Sequence, residues 1–326
     1  MTNKPVPFLL LFLFSAPAFS ADHPNDEIES WLSKMHHASH MINYEGTFVY
    51  GENNELTSMK ISHAVYPEGE KEHLISLDGS GREVIRSGNT VTCILPDKKS
   101  VVVEKGKLNS TFPPKFPVTV THLSEFYDFH IAQDDRVAGR KAKKLLIKPR
   151  DIYRYGHNLW VDSETGLLLK DHLVSEKGKS VEQFMFTRIE YPKNISKKRF
   201  IHNDTTKDFT WHHARESASD SDTTGSMNWK VTQTPPGFMP GMKRHQNIPM
   251  SAMPVEHFIF SDGLASVSVF VEKKMENSKN LIGSSMMGAV NAYGRLVGDY
   301  YVTVVGEVPH ATVKMIGDSV MQVKQK

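Results

Sequence analysis

The segment 148–172, KPRDIYRYGHNLWVDSETGLLLKDH, decides how this 326-residue chain is read. It crowds Asp151, His157 and Asp162 into a short space, together with Arg150 and Arg154, and so invites comparison with an active site. Its pattern says otherwise. HNLWVD (157–162) reads as a strand, SETG (163–166) as a turn with Gly166 free to take positive φ, and LLLKDHLV (167–174) as the returning strand. Asp151, His157 and Asp162 are therefore expected on successive strands of a meander. No helix N-terminus, strained elbow or glycine-rich loop is there to aim a nucleophile. The segment is how a hairpin in a curved sheet is written.

The same rhythm extends outward. GTFVYG (46–51), TSMKISHAVY (57–66), EHLISLD (72–78), REVIRSG (82–88), NTVTCILP (89–96) and KSVVVEK (99–105) are β-rich runs parted by ENNE, DGSG and PDKK. A strand about every ten residues marks an antiparallel meander or barrel. PPKFP (113–117) interrupts it, VTHLSEFYDF (120–129) predicts a short helix, and strands resume through DDRVAGRKAKKLLIKPR to SVEQFMFTRIEYP (180–192). Before the meander, NDEIESWLSKMHHASHMI (25–42) is an amphipathic helix capped by Asn25 or Asp26. Ile28, Trp31, Leu32, Met35, Ser39 and Ile42 share one face, and His36, His37 and His40 lie on a solvated one.

The N-terminus sets the compartment. Lys4, the apolar FLLLFLF (8–14) and small residues at Ala18 and Ser20 form a secretory signal, residues 1–20, cleaved after Ser20. The apolar run is too short to span a bilayer. The mature chain is expected to be soluble and periplasmic, and Cys93, the one cysteine, excludes an intramolecular disulfide. In TVTCILP it reads as a buried small hydrophobe.

Two domains are expected: 21–203, then a polar, aperiodic Ser/Thr/Asp-rich linker over 204–228 in which His212 and His213 are solvated, then 229–326. The second opens with a hairpin signal, Asp262-Gly263 within VEHFIFSDGLASVSVFVEK (255–273). GDYYVTVVGEVP (298–309) adds a strand, and Pro309 opens a helix carrying Val313, Ile316 and Val320. The fold class is α+β.

A composition of 39% hydrophobic and 23% charged residues with a net charge of +2 gives no sign of nucleic-acid binding. Charge is local. Residues 134–200 hold 16 Lys/Arg against 9 Asp/Glu, which suits a solvated sheet face or an anionic partner. Arg150, Arg154 and Lys170 surround Tyr153, Tyr155 and Trp160, a set fitted to an amphiphile, so Arg150, Arg154, Tyr155, Trp160 and Lys170 are candidate lipid contacts. Ten of the 15 methionines follow residue 226, with MPGM (239–242) and MSAM (250–253) flanking His245. Flexible packing or partner binding accounts for them, with Cu(I) ligation the minor alternative and no cofactor assigned. Walker, dinucleotide, HExxH and GxSxG motifs are missing, and binding is favoured over catalysis.

NYEGTFVY (43–50), REVIRSGNTVTCILPD (82–97), DRVAGRKAKKLLIKPRDIYRYGHNLWVDSETGLLLKDHLV (135–174), EQFMFTRIEY (182–191), PPGF (235–238), VEHFIFSDGLASVSVFVE (255–272) and VTVVGEVPHATVKMIGDSV (302–320) together resemble the RseB/MucB family. The resemblance implies a large N-terminal domain like the carriers LolA and LolB, a half-closed antiparallel sheet over helices with an apolar groove, and a smaller C-terminal domain. It implies a non-enzymatic protein that binds the periplasmic part of a membrane-spanning anti-sigma factor, shields it from proteolysis and releases it when lipopolysaccharide or a related lipid accumulates. On this reading the C-terminal hairpin is the exposed dock, with Phe260, Ser261, Asp262, Gly263, Leu264 and Val269 as candidate partner contacts. The rival reading is a periplasmic lipid or lipoprotein carrier, which has no need of the second domain.

Overall fold

The computed structural model describes residues 24–52, 55–105, 112, 114, 116–201, 206–213, 228–246, 255–275 and 281–323. The expected signal peptide, residues 1–20, lies outside them. The chain opens with helix α1 (Pro24–Met41) and runs into six antiparallel strands: β1 (Tyr44–Glu52), β2 (Glu55–Tyr66), β3 (Gly69–Ser76), β4 (Glu83–Ser87), β5 (Thr90–Leu95) and β6 (Ser100–Lys105). After the proline-rich interruption come β7 (Tyr127–Val137), β8 (Arg140–Pro149), β9 (Gly156–Asp162), β10 (Leu168–Val174) and β11 (Ser180–Glu190). A short strand β12 (Thr210–His213) completes a twelve-stranded sheet ordered β12-β6-β5-β4-β3-β2-β1-β11-β10-β9-β8-β7.

The sheet curls, because β7, four strands away from β11, comes back into contact with it. Helix α1 fills the hollow. Ile28, Leu32, Met35 and Ala38 recur at helical spacing, and all are buried against Tyr44, Phe48, Leu145, Leu159, Leu169 and Phe186. Phe112 adds a ring stacked on Phe48, with centroids 4.2 Å apart. Gly166 has φ +83°, and a Cβ there would lie 2.8 Å from the Lys34 carbonyl oxygen, so the SETG turn needs glycine for its backbone and for its approach to α1. The Lys34 ammonium donates to the Ser163 carbonyl across the same contact, 2.7 Å.

The smaller domain has β13 (Trp229–Val231), β14 (Met239–Gln246), β15 (Val255–Ser261), β16 (Ser266–Lys273), β17 (Gly283–Met287), β18 (Val290–Val297), β19 (Tyr300–Gly306), helix α2 (His310–Ser319) and β20 (Val320–Gln322). Six strands form one sheet, β14-β15-β16-β19-β18-β17, while β13 pairs with β20. Val313 and Ile316 of α2 are fully buried against Phe258, Val269, Val302 and Val304.

Some local expectations are corrected. The helix expected over 120–129 is only a 3-10 turn, Leu123–Glu125, because Tyr127 and Phe129 join a strand whose inner face needs them. Helix α1 starts at Pro24, which places Asp26 within the first turn instead of at the cap. Thr210–His213, inside the expected linker, pairs in parallel with β6, though His212 and His213 are exposed as expected. Asp151 sits in the β8–β9 loop, and His157 and Asp162 share β9, so the three do not occupy successive strands. Cys93 is half-buried, since it lies on a strand far along the open arm of the sheet. Of the methionine-rich segment, Met239 and Met242 are exposed on β14, while Met250, Met253 and the His245 side chain lie outside the described residues.

Candidate functional site at the domain junction

The loop Arg150–Tyr155 between β8 and β9 joins the two domains, and its local chemistry explains how. The Asp151 carboxylate accepts the Tyr153 amide at 2.9 Å, an Asx-type turn that points the next side chain away from the sheet. That side chain is Arg154, wholly buried. Its Nη1 donates to Asp262 Oδ2 of the β15–β16 hairpin at 3.0 Å, its Nη2 to the Pro236 carbonyl at 2.5 Å and its Nε to Asp151 Oδ1 at 3.1 Å. The guanidinium lies 4.7 Å from the Phe126 ring centre, 5.4 Å from Tyr127 and 5.3 Å from Phe238. A charge so far from water persists because hydrogen-bond acceptors, opposite charge and ring faces all meet it.

Asp262 is matched just as fully. Its Oδ2 also accepts the Tyr127 hydroxyl at 2.9 Å, and its Oδ1 accepts the amides of Leu264 and Ala265 at 2.9 and 2.7 Å. Burial, and after it the Asp262 charge, push the Tyr127 phenol upward, so it stays a donor. Further ties flank the pair. Asn291 donates to the Tyr155 hydroxyl at 3.0 Å, and Thr312 donates to the Tyr153 carbonyl at 2.5 Å. Tyr155, Leu173 and Ala289 bury one another.

Beside these ties the domains part into an open cleft of about 830 Å³ between the β1–β2 and β10–β11 turns on one side and the β17–β18 turn and the start of α2 on the other. Deeper in, a smaller cavity of about 140 Å³ is lined by Phe116, Tyr127, Tyr155, His157, Leu264 and Glu307. His157 Nδ1 lies 3.0 Å from Asp171 Oδ2. Burial lowers the imidazole, but the facing Asp171 carboxylate outweighs it and holds the group above its ordinary value.

These positions revise both sets of candidate contacts. Asp262 is not an exposed dock but half of the domain junction. Phe260 and Val269 are core, Ser261 donates to the Ala265 carbonyl, and Leu264 packs on the larger domain. Gly263 alone is open, at φ +98°, where the turn needs it. The loop of that hairpin has four residues, with Ser261 paired to Ser266. Arg154 and Tyr155 face the smaller domain, away from Trp160 and Lys170, which the structure groups separately. There Trp160 donates to Asp135 at 2.8 Å, and the ammonium groups of Lys170 and Lys144 lie 4.3 and 4.7 Å from its ring. Arg150 is half-exposed and donates to Asp128 at 2.7 Å. Asp162 caps the SETG turn through the amides of Glu164 and Thr165 and accepts from Tyr191 and Arg140, a structural role. His40 contacts Glu70 at 2.7 Å. Among the described residues no group of three or more His, Cys, Asp or Glu gathers as a metal site.

Tyr127, Asn291 and Phe238 were missed by sequence reasoning. Each lies within an ordinary apolar or polar run, and only PPGF marks its place, since Gly237 at φ +83° would drive a Cβ to 2.4 Å from Phe126.

An arginine and an aspartate from different domains, closed on one another beside an open cleft, fit a two-domain binding protein. The chain belongs to the MucB/RseB family: the model of the MucB/RseB N-terminal domain matches residues 27–203, and that of the C-terminal domain matches 223–321. The sigma factor AlgU regulatory protein MucB of Pseudomonas aeruginosa is 31% identical over 323 residues, 96% of either chain. The sigma-E factor regulatory protein RseB of Haemophilus influenzae is 26% identical over 317 residues, 97% of this chain and 98% of that one. Among solved structures, the Pseudomonas aeruginosa MucA/MucB complex superposes with a TM-score of 0.69 at 28% identity, covering 92% of this chain and 100% of that chain. A crystal structure of MucB in complex with MucA(peri) gives 0.67, at 28% identity over 91% of this chain and 99% of that one. The chain is thus a regulatory protein and not an enzyme.

Proposed function

We propose that the chain is a periplasmic regulator, exported by residues 1–20, that binds the periplasmic part of a membrane-spanning anti-sigma factor. It shields that segment from proteolysis and releases it on binding lipopolysaccharide or a related lipid. Support for the partner comes from the regulatory names of its relatives and from the similar protein solved with MucA(peri). The observation that carries the reading is the buried Arg154–Asp262 pair, which with its flanking hydrogen bonds ties the domains beside an open cleft. A lipid can release a partner only if it favours an arrangement that holds the partner less well, and on this reading that arrangement is an opened junction. Arg150 and Lys170 are the candidate headgroup cations, and Arg154 joins them only when the junction opens.

Titration of a fluorescent peptide of the anti-sigma segment, with and without lipopolysaccharide, tests this. Linkage requires lipid and peptide to weaken each other by the same factor, expected at ~10- to 150-fold. Unchanged peptide affinity in the presence of lipid would return the chain to the carrier reading. N-terminal sequencing of the exported protein should begin at Ala21.

A further inference from the structure

We propose that the outer face of the large sheet, across β8–β11, β1 and β2, lies against the surface of an anionic lipid bilayer. It shares Lys170 with the lipid reading above but concerns a membrane surface, and its test succeeds or fails apart from that reading.

The strand register builds this face. Lys144, Trp160, Lys170, Met185, Val49 and Ser58 stand opposite one another in turn on β8, β9, β10, β11, β1 and β2, one row across the sheet. Leu146, Asn158, His172, Gln183, Gly51 and Leu56 form the next row. Side chains alternate along a strand, so both rows point away from α1, while Leu145, Leu159 and Phe184 between them join the core on the helix. Neither row holds an acidic residue, and Lys148 on β8 and Lys60 on β2 extend the basic side chains on either flank. Acids return at the borders, where they are engaged. Asp128 takes Arg150, Glu190 takes Arg188, and Asp135 accepts the Trp160 indole N–H. Glu55 and Glu176 lie beyond the rows, beside the cleft.

These side chains suit a headgroup layer. The ammonium groups of Lys144 and Lys170 both lie over the buried Trp160 ring, and they share one nearby carboxylate, Asp135. An arriving phosphate relieves the repulsion between them. Val49, Leu146 and Met185 are half-exposed among the charges, and Leu56 is 68% exposed at the end of its row. Lysines whose stems run over apolar and aromatic groups fit the boundary between water and lipid.

Breadth selects the occupant. Six adjacent strands span ~24 Å, which exceeds what one small anion covers. Each of the six is paired on both sides, so the face offers a polypeptide no open backbone edge. A second copy meeting it through the same face would set lysine against lysine.

The test uses the full mature chain and flotation with lipid vesicles, in the absence of anti-sigma peptide and lipopolysaccharide. Wild type should float with phosphatidylcholine vesicles containing about a third phosphatidylglycerol, less so as salt rises, and not with phosphatidylcholine alone. Lys144→Gln with Lys170→Gln should weaken vesicle binding by ~10- to 30-fold, and Lys144→Glu with Lys170→Glu by more. Lys230→Glu with Lys273→Glu, the same change of charge at exposed positions of the smaller domain, should weaken it by less than ~3-fold. The Gln pair keeps the test open if the Glu pair fails to fold. A photo-cross-linker in place of Met185 should capture phosphatidylglycerol, and one in place of Lys230 should not. Wild type that ignores anionic vesicles, or a folded Gln pair that binds them as wild type does, would overturn the proposal. Short-chain phosphatidylglycerol bound below its micellar concentration as tightly as the vesicles would assign a single-lipid site and overturn it too.

Discussion

Arg154 of the larger domain and Asp262 of the smaller one meet at 3.0 Å with neither side chain exposed, and they are the one fully buried ion pair between the domains among the described residues. Asp262→Asn should leave the guanidinium with Asp151 and the three rings but without its buried counter-charge. Removing one partner of such a pair costs about 3–5 kcal/mol, and because Asp151 stays within reach the loss should fall near the lower end, about 3 kcal/mol. Denaturant titration measures it. The paired replacement Arg154→Met with Asp262→Asn should recover part of that loss, since no unpaired charge would remain. A single variant as stable as wild type would mean that the pair does not hold the domains.

Gly237 lets the PPGF turn close over Phe126. Gly237→Ala must adopt φ +83° and also place a Cβ 2.4 Å from the ring. Left-handed backbone for a non-glycine residue plus overpacking should cost about 2–4 kcal/mol. Gly178→Ala, also at positive φ but with open space around it, should cost only the backbone part, about 1–2 kcal/mol. Equal losses at the two positions would show that the ring contact is slack.

The strands were legible because their residues obey short-range rules: alternation, β-branching, and turn residues at Gly166 and Asp262-Gly263. The junction was not. Arg154 and Asp262 are 108 residues apart, and each alone reads as a surface charge, so both were assigned to exposed contacts. Only the return of the β15–β16 turn onto Phe126 and Tyr127 buries them, a tertiary event that leaves no periodic trace. Both residues lie in stretches that carry the family resemblance, and the structure places them at the domain junction. Trp160 is a second case. The sequence sets Lys170 beside an aromatic but gives no sign of Lys144, and cross-strand pairing of Trp160 with both puts that group on a different part of the sheet from Arg154.

Asp162, at the centre of the segment that first suggested catalysis, accepts two turn amides, the Tyr191 hydroxyl and the Arg140 guanidinium. Burial pushes its carboxyl up, but these donors outweigh burial and hold it below the usual value. A depressed folded pKa contributes stability above the unfolded value, near 3.9, that is lost as pH falls through the folded one. Asp162→Asn should therefore destabilise the chain by about 2–3 kcal/mol at neutral pH and shrink the difference in stability between neutral pH and pH 3. Anti-sigma binding by the folded variant should be unchanged. Loss of binding without loss of stability would contradict the structural role.

The inner junction should contribute more stability at pH 5.5 than at pH 8. Asp171 overcomes burial to raise the His157 pKa, so that pair stabilises fully below the unfolded value, near 6.5, and fades as pH rises through the folded one. Desolvation at the small inner cavity, then the charge of Glu182, push Glu307 from 4.5 up to about 7. Its proton too is held more tightly in the folded state, so stability falls with rising pH across the same range. Glu307 remains exposed on its outer side, which keeps its share small. Burial lowers the His172 pKa, which works in the opposite direction over this range, so the test is differential. Urea midpoints measured from pH 5.5 to 8 should fall more, or rise less, in wild type than in His157→Gln with Glu307→Gln. A double variant with the same pH dependence as wild type would overturn the assignment.

Finally, the two domains should stay together after the chain between them is cut. Residues 214–227 are polar, rich in Ser, Thr and Asp, and bounded on one side by β12 and on the other by β13. Limited proteolysis should cleave there first and leave two resistant fragments, because a segment of this composition has little to bury. The fragments should nevertheless elute as one species at native pH. Arg154–Asp262, Tyr127–Asp262, Tyr155–Asn291 and Tyr153–Thr312 all cross the junction without using the linker. In the nicked Asp262→Asn protein the fragments should separate on dilution, and lipopolysaccharide should promote the same separation in nicked wild type if lipid favours the opened junction. Wild-type fragments that part immediately on cleavage would show that the linker, and not the buried pair, keeps the domains in register.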